Sequence, residues 1–159
     1  MEKKYLNISE AKSKLEYYCA YQERCHSEVI SKLYSLEISR DLHDEITVHL
    51  INENYLNEER FSRSFARGKH KNNHWGKNRI INELKQRKIT DYLITKSLSE
   101  LPDELYFDTF HTISENKWKT TKGSTIQNKK QKVIGYLHRK GYELDFIYER
   151  IRELEREEI

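Results

Sequence analysis

EVISKLYSLEI (28–38), RIINELKQRKI (79–89) and KVIGYLHRKGY (132–142) align with one another without gaps. Each holds two adjacent apolar residues, then a Leu three positions on: Val29, Ile30 and Leu33; Ile80, Ile81 and Leu84; Val133, Ile134 and Leu137. That spacing marks one buried stripe of an α-helix. A further apolar residue, Ile38, Ile89 or Tyr142, stands five positions past the Leu, just beyond the helix end. Leu33 and Leu84 lie 51 residues apart and Leu84 and Leu137 lie 53 apart, so the chain repeats a unit of about fifty residues.

A second helix is expected after each of these segments, marked by Leu42, Ile46 and Leu50; by Ile94, Leu98 and Leu101; and by Leu144, Ile147, Ile151 and Leu154. Another precedes each pair, over about Ser9 to Glu23, Asn57 to Lys69 and Asp103 to Lys119. Asn57 is placed to cap its helix, with Leu56 and Phe61 at the spacing of a hydrophobic staple, and Thr90 repeats this with Ile89 and Ile94. Asn7 and Glu10 have capping-box spacing, with Ser9 as a competing cap. Gly141 falls where a helix end turns left-handed, while the equivalent positions hold Glu37 and Lys88, so those two turns are expected to be built differently or to carry strain. The fold expected is all-α: three tandem three-helix repeats, residues 1–53, 54–101 and 102–159, packed in series into an elongated, curved protein.

The composition of the 159 residues agrees. Five Gly and one Pro are too few for the turns of a sandwich or barrel, and 35% charged residues with a mean hydropathy of −0.97 leave little for one large core. No apolar run is long enough for a membrane span and no signal segment opens the chain, which points to a cytoplasmic, non-membrane protein. Cys19 and Cys25 make no disulfide framework, and His70 and His74 lack further ligands for a metal. Cys25-His26 and Glu58-Glu59 read as structural; phosphate-loop and dinucleotide motifs are absent. Neither an enzyme nor a cofactor is expected.

The net charge of +3 is strongly segregated. Arg60 to Lys88 carries ten basic residues against Glu83 alone, and Lys117 to Lys140 carries eight against none; the acidic excess includes the tail Glu153, Glu155, Glu157 and Glu158. Such blocks suit a polyanion or an acidic protein groove, the alternative being a solvated helix face. On a helical wheel Arg60, Arg63 and Arg67 share a face opposite Phe61 and Phe65, a geometry for bidentate contacts to carboxylate or phosphate. Candidate partner-binding residues are these three with Lys69, Lys71, Lys77, Arg79, Lys85, Arg87, Lys132 and Arg139. Lys130 lies nearer the apolar side, where it would snorkel. Trp75 and Trp118 sit among lysines, where each either stacks on a base or closes a helix interface.

The run Tyr55 to Arg67, YLNEERFSRSFAR, followed by Gly76 to Ile89, GKNRIINELKQRKI, resembles the central repeat of the RecX regulatory proteins. Arg139-Lys140-Gly141 is similar to the turn of that family's third repeat, and Ala20 to Arg24 with Glu28 to Leu33 to its first, so the likeness spans roughly residues 15 to 152. Asn57 and Lys88 stand where the family often has Asp and Gly. The resemblance implies a monomeric protein that binds the RecA nucleoprotein filament and modulates it, mostly by inhibiting ATP turnover, strand exchange and co-protease activity, with a place in recombination, DNA repair and the SOS response. It brings no catalytic residues. The other reading, from the basic faces alone, is a helical module that binds single- or double-stranded DNA directly.

Overall fold

The computed structural model describes residues 5–158. Among them are nine α-helices and no strand: α1 (Ile8–Tyr21), α2 (His26–Ser35), α3 (His43–Asn52, entered through a 3-10 turn at Arg40–Leu42), α4 (Glu58–Asn73), α5 (Lys77–Gln86), α6 (Asp91–Leu98), α7 (Asp103–Thr120), α8 (Ile126–Lys140) and α9 (Leu144–Glu157). The principal packing contacts fall within three successive triads, α1 to α3, α4 to α6 and α7 to α9, giving three three-helix repeats in series.

Local chemistry sets the helix ends. Asn7, not Ser9, caps α1 in a full capping box: its Oδ1 accepts from the Glu10 N–H at 2.8 Å and Glu10 Oε1 accepts from the Asn7 N–H. Asn57, Thr90 and Thr125 cap α4, α6 and α8. The three aligned helices α2, α5 and α8 end in one and the same turn. The N–H of Ile38, Ile89 and Tyr142 bonds the carbonyl of Leu33, Leu84 and Leu137, and the N–H of Glu37, Lys88 and Gly141 bonds that of Tyr34, Lys85 and His138. This double bond is the Schellman motif, whose apolar contact explains why a hydrophobic residue always follows the Leu by five. It demands positive φ, and Glu37 (57°) and Lys88 (60°) adopt it just as Gly141 (103°) does. The turn is therefore not rebuilt; two copies accept the strain of a Cβ there.

Two apolar cores form. The first lies within repeat 1 (Leu15, Val29, Leu33, Ile46, Leu50), and Leu56 closes it. The second is continuous through repeats 2 and 3, from Phe61, Ile80 and Leu84 to Phe110, Leu137 and Ile151. Leu56 and Phe61 thus belong to different cores, and the staple expected between them is replaced by an inter-repeat boundary. Cys25 is the repeat 1 residue that enters the second core.

The two junctions differ in kind. Between repeats 2 and 3 the backbones meet: the Gly76 N–H donates to Lys140 O at 2.7 Å and the Asn78 N–H to Gly141 O at 2.9 Å, so the carbonyl end of α8 caps the amide end of α5. Tyr106 Oη accepts from the Lys77 N–H and donates to Glu143, while Tyr142 Oη donates to His74 O. A Cβ on Gly76 would lie 2.4 Å from the Gly141 carbonyl carbon, and one on Gly141 would lie 2.4 Å from Arg79 Cβ; both glycines are needed for this approach. Between repeats 1 and 2 side chains make the contact. Glu58 accepts from the His26 N–H, Ser27 Oγ donates to Arg87 O, and Arg60 pairs with Glu23.

Candidate partner-binding surface

Helix α4, expected to end near Lys69, continues through Asn73, so Lys71 is helical as well and only His74-Trp75-Gly76 connects α4 to α5. Arg60, Arg63 and Arg67 project from α4, and carboxylates hold all three. Arg60 Nε donates to Glu23 at 2.6 Å and its Nη groups reach Asn54 and Tyr55 O. Arg63 bonds Glu59 and Glu100, and Arg67 pairs with the other oxygen of Glu100 at 3.1 Å. Lys96 also reaches Glu59, so a charge network ties α4 to the end of α6. Hydrogen bonds first from Arg67 and then from Arg63 hold the Glu100 carboxyl below its ordinary pKa, and Lys96 followed by Arg63 does the same for Glu59.

A second set of cations lies over aromatic rings. Lys69 Nζ is 5.0 Å and Arg79 Cζ 4.2 Å from the centroid of Trp75, Lys77 Nζ is 4.7 Å from Tyr106, and Arg87, paired with Glu83, lies 4.9 Å over Phe65. Trp75 is only 9% exposed and meets Phe65 edge-on, and Trp118 is 3% exposed with its indole N–H donated to Glu158. Both tryptophans therefore close helix interfaces and present no face to a base.

Arg79, Lys85 and Arg139 come together. They line an open polar groove of about 600 Å³ between α5 and the α8–α9 turn, with Asn78, Asn82, Gln86 and His138. Its one carboxylate, Glu83, is engaged by Arg87. Arg79 donates to Arg139 O at 3.2 Å, which fixes its position at the groove wall while leaving its charge uncompensated by an acid. Here Arg79 and Arg139, cations from the two basic blocks and 60 residues apart in sequence, share one concavity; three cations in a polar groove have the chemistry to pair with carboxylates or phosphates. The helical spacing of the sequence puts Asn82 and Gln86 on the same outward face as Arg79 and Lys85 but does not single out His138.

Elsewhere, Lys71 is exposed, and Lys132 donates to Lys122 O at 2.9 Å. The acidic tail folds back on the second block: Glu158 pairs with Lys129 at 2.7 Å and Glu155 with Lys130, which is thus ion-paired and not merely snorkelling. His70 is buried against Tyr106, its Nδ1 2.9 Å from Trp75 O, and among the described residues no His, Cys, Asp and Glu gather as a metal site.

Two family models match the chain: "RecX, second three-helix domain" over residues 57–98 and "RecX, third three-helix domain" over residues 103–151, together more than half of it. Regulatory protein RecX of Bacillus cytotoxicus and that of Bacillus thuringiensis are each 29% identical over 140 residues, 88% of this chain and 52% of theirs. The chain thus spans about half the length of these curated relatives. A crystal structure of RecX from Lactobacillus salivarius superposes with a TM-score of 0.77 at 28% identity, over 93% of this chain and 96% of that one. A second crystal structure, of regulatory protein RecX, has a TM-score of 0.81 at 20% identity over 92% and 73%, a likeness of fold.

Proposed function

The chain belongs to the RecX family, and from that membership we propose that it is a regulator of RecA: it binds the RecA filament on single-stranded DNA and restrains its ATP turnover, strand exchange and co-protease activity. The observation that supports a binding role most is the cationic groove between repeats 2 and 3, where Arg79, Lys85 and Arg139 lack a neutralising acid. In this reading they meet acidic side chains or phosphates of the filament, and Lys71, Lys77 and Lys132, which lie outside the groove lining, are further candidate contacts. Arg60, Arg63 and Arg67, together with Lys69 and Arg87, also brace the scaffold, and the donors that their internal neighbours leave unused face the partner in this reading. The backbone-to-backbone joint favours this function, because a rigid groove loses little freedom on binding.

A second reading, direct binding of DNA through the basic faces, draws on the exposed Lys71, Lys85, Lys88 and Lys122. Titrating fluorescently labelled chain onto RecA filaments on single-stranded DNA, and onto the same DNA without RecA, separates the two. Filament regulation predicts tighter binding to the filament that survives moderate salt. Equal affinity for both, with a steep loss in salt, contradicts it and favours the DNA reading.

A further inference from the structure

Repeat 1 contributes to neither basic block, and its first 53 residues hold more acids than bases. It nevertheless bears a concentrated aromatic and cationic surface. An open groove of about 500 Å³ lies between α1 and α2, and the residues that line it include Lys14, Arg24 and Lys32 and no carboxylate. Tyr17, Tyr18 and Tyr21 supply its walls. Tyr17 and Tyr21 are each 73% exposed, on the side of α1 away from the buried Ala11, Leu15 and Cys19, so folding gives no reason for two rings there. Tyr18 is occupied differently. The Arg24 guanidinium covers its ring at 3.7 Å, donates to Tyr18 O and approaches Glu28 at 3.9 Å, while Lys32 Nζ stands 5.4 Å from the same ring.

Four residues apart on a helix, the exposed rings of Tyr17 and Tyr21 start about 6 Å from each other, a distance two successive bases of an extended strand can bridge. Sequence-tolerant single-strand sites are built from this combination of stacking faces along a cationic track. A duplex keeps its bases covered by their neighbours and offers such rings nothing but phosphates. An acidic peptide would answer the lysines but leave the rings unused.

We propose that this groove binds single-stranded nucleic acid, with one base stacked on Tyr17, the next on Tyr21, and the linking phosphates between Lys14 and Lys32. The site is separate from the repeat 2–3 groove and does not depend on RecA.

The test uses the full chain without RecA and fluorescence anisotropy of labelled oligo-dT, oligo-U and a hairpin duplex. Tyr17→Ala/Tyr21→Ala should weaken binding of the single strands about a hundredfold, roughly tenfold for each ring lost, and leave the duplex affinity unchanged. Tyr17→Phe/Tyr21→Phe keeps both faces and should bind like wild type. Because both positions are exposed, unchanged far-ultraviolet circular dichroism is expected for each variant. Loss with only one of the two strands still supports the site and identifies the sugar it prefers. The proposal is overturned if the alanine variant binds single strands as wild type does, if it loses duplex and single strand alike, or if poly-glutamate displaces oligo-dT as well as unlabelled oligo-dT does.

Discussion

Lys88, like Glu37, is held in a conformation that an L residue seldom adopts. Its φ of 60° places a Cβ-bearing residue in the left-handed region at the Schellman turn, where Gly141 serves the third copy. Lys88→Gly should therefore raise stability, by about 1 kcal/mol, as read from urea unfolding. The opposite is expected of Gly76→Ala, whose methyl would press on the Gly141 backbone; a loss of about 2 kcal/mol or more follows unless the repeats separate. His70 carries a third residue-scale expectation. Desolvation lowers its pKa below 6.5, so the folded state resists protonation that the unfolded chain accepts. Below pH 6.5 the unfolded state binds more protons, and stability falls with pH until the folded imidazole titrates as well. Unfolding at pH 7.5 and pH 5.5 should show this as a steeper loss in wild type than in His70→Phe, which keeps the stack on Tyr106; equal losses would count against it.

At the scale of elements, the sequence was legible wherever the cause was local. The Leu and the apolar residue five positions later are two ends of one Schellman turn, so the aligned segments announced both helix and stop. Asn57, Thr90 and the Asn7–Glu10 pair announced helix starts for the same reason. What a wheel could not show is where a side chain ends. It put Arg60, Arg63 and Arg67 on one face of α4, but Glu100 meets two of them from 33 and 37 residues away and Glu23 meets the third from before α2. The groove was hidden likewise, since Arg79 and Arg139 become neighbours only when α8 caps α5. The α4–α6 network carries its own pH dependence. With Glu59 and Glu100 held below 4.5, their stabilisation is present above that pH and is lost as pH falls through the lowered folded values. Glu100→Gln should flatten this acid limb in a pH series of thermal melts; an unaltered limb would show the network to be energetically idle.

Across the whole molecule, repeat 1 keeps a separate apolar core and joins repeat 2 through side chains, whereas repeats 2 and 3 share one core and a main-chain joint. A fragment of residues 57–158 should accordingly fold without repeat 1, with helical circular dichroism and one cooperative melt; a fragment that stays unfolded would contradict the division. The rigid half is also the half that holds the cationic groove. Its role is tested most directly by ATP hydrolysis of RecA on single-stranded DNA, titrated with wild type and with a folded Arg79→Ala/Lys85→Ala/Arg139→Ala variant. Filament regulation through the groove predicts inhibition by wild type at less than one chain per RecA, and at least tenfold more variant for the same effect. Inhibition by wild type only at concentrations that coat the DNA, or equal inhibition by the variant, would contradict it.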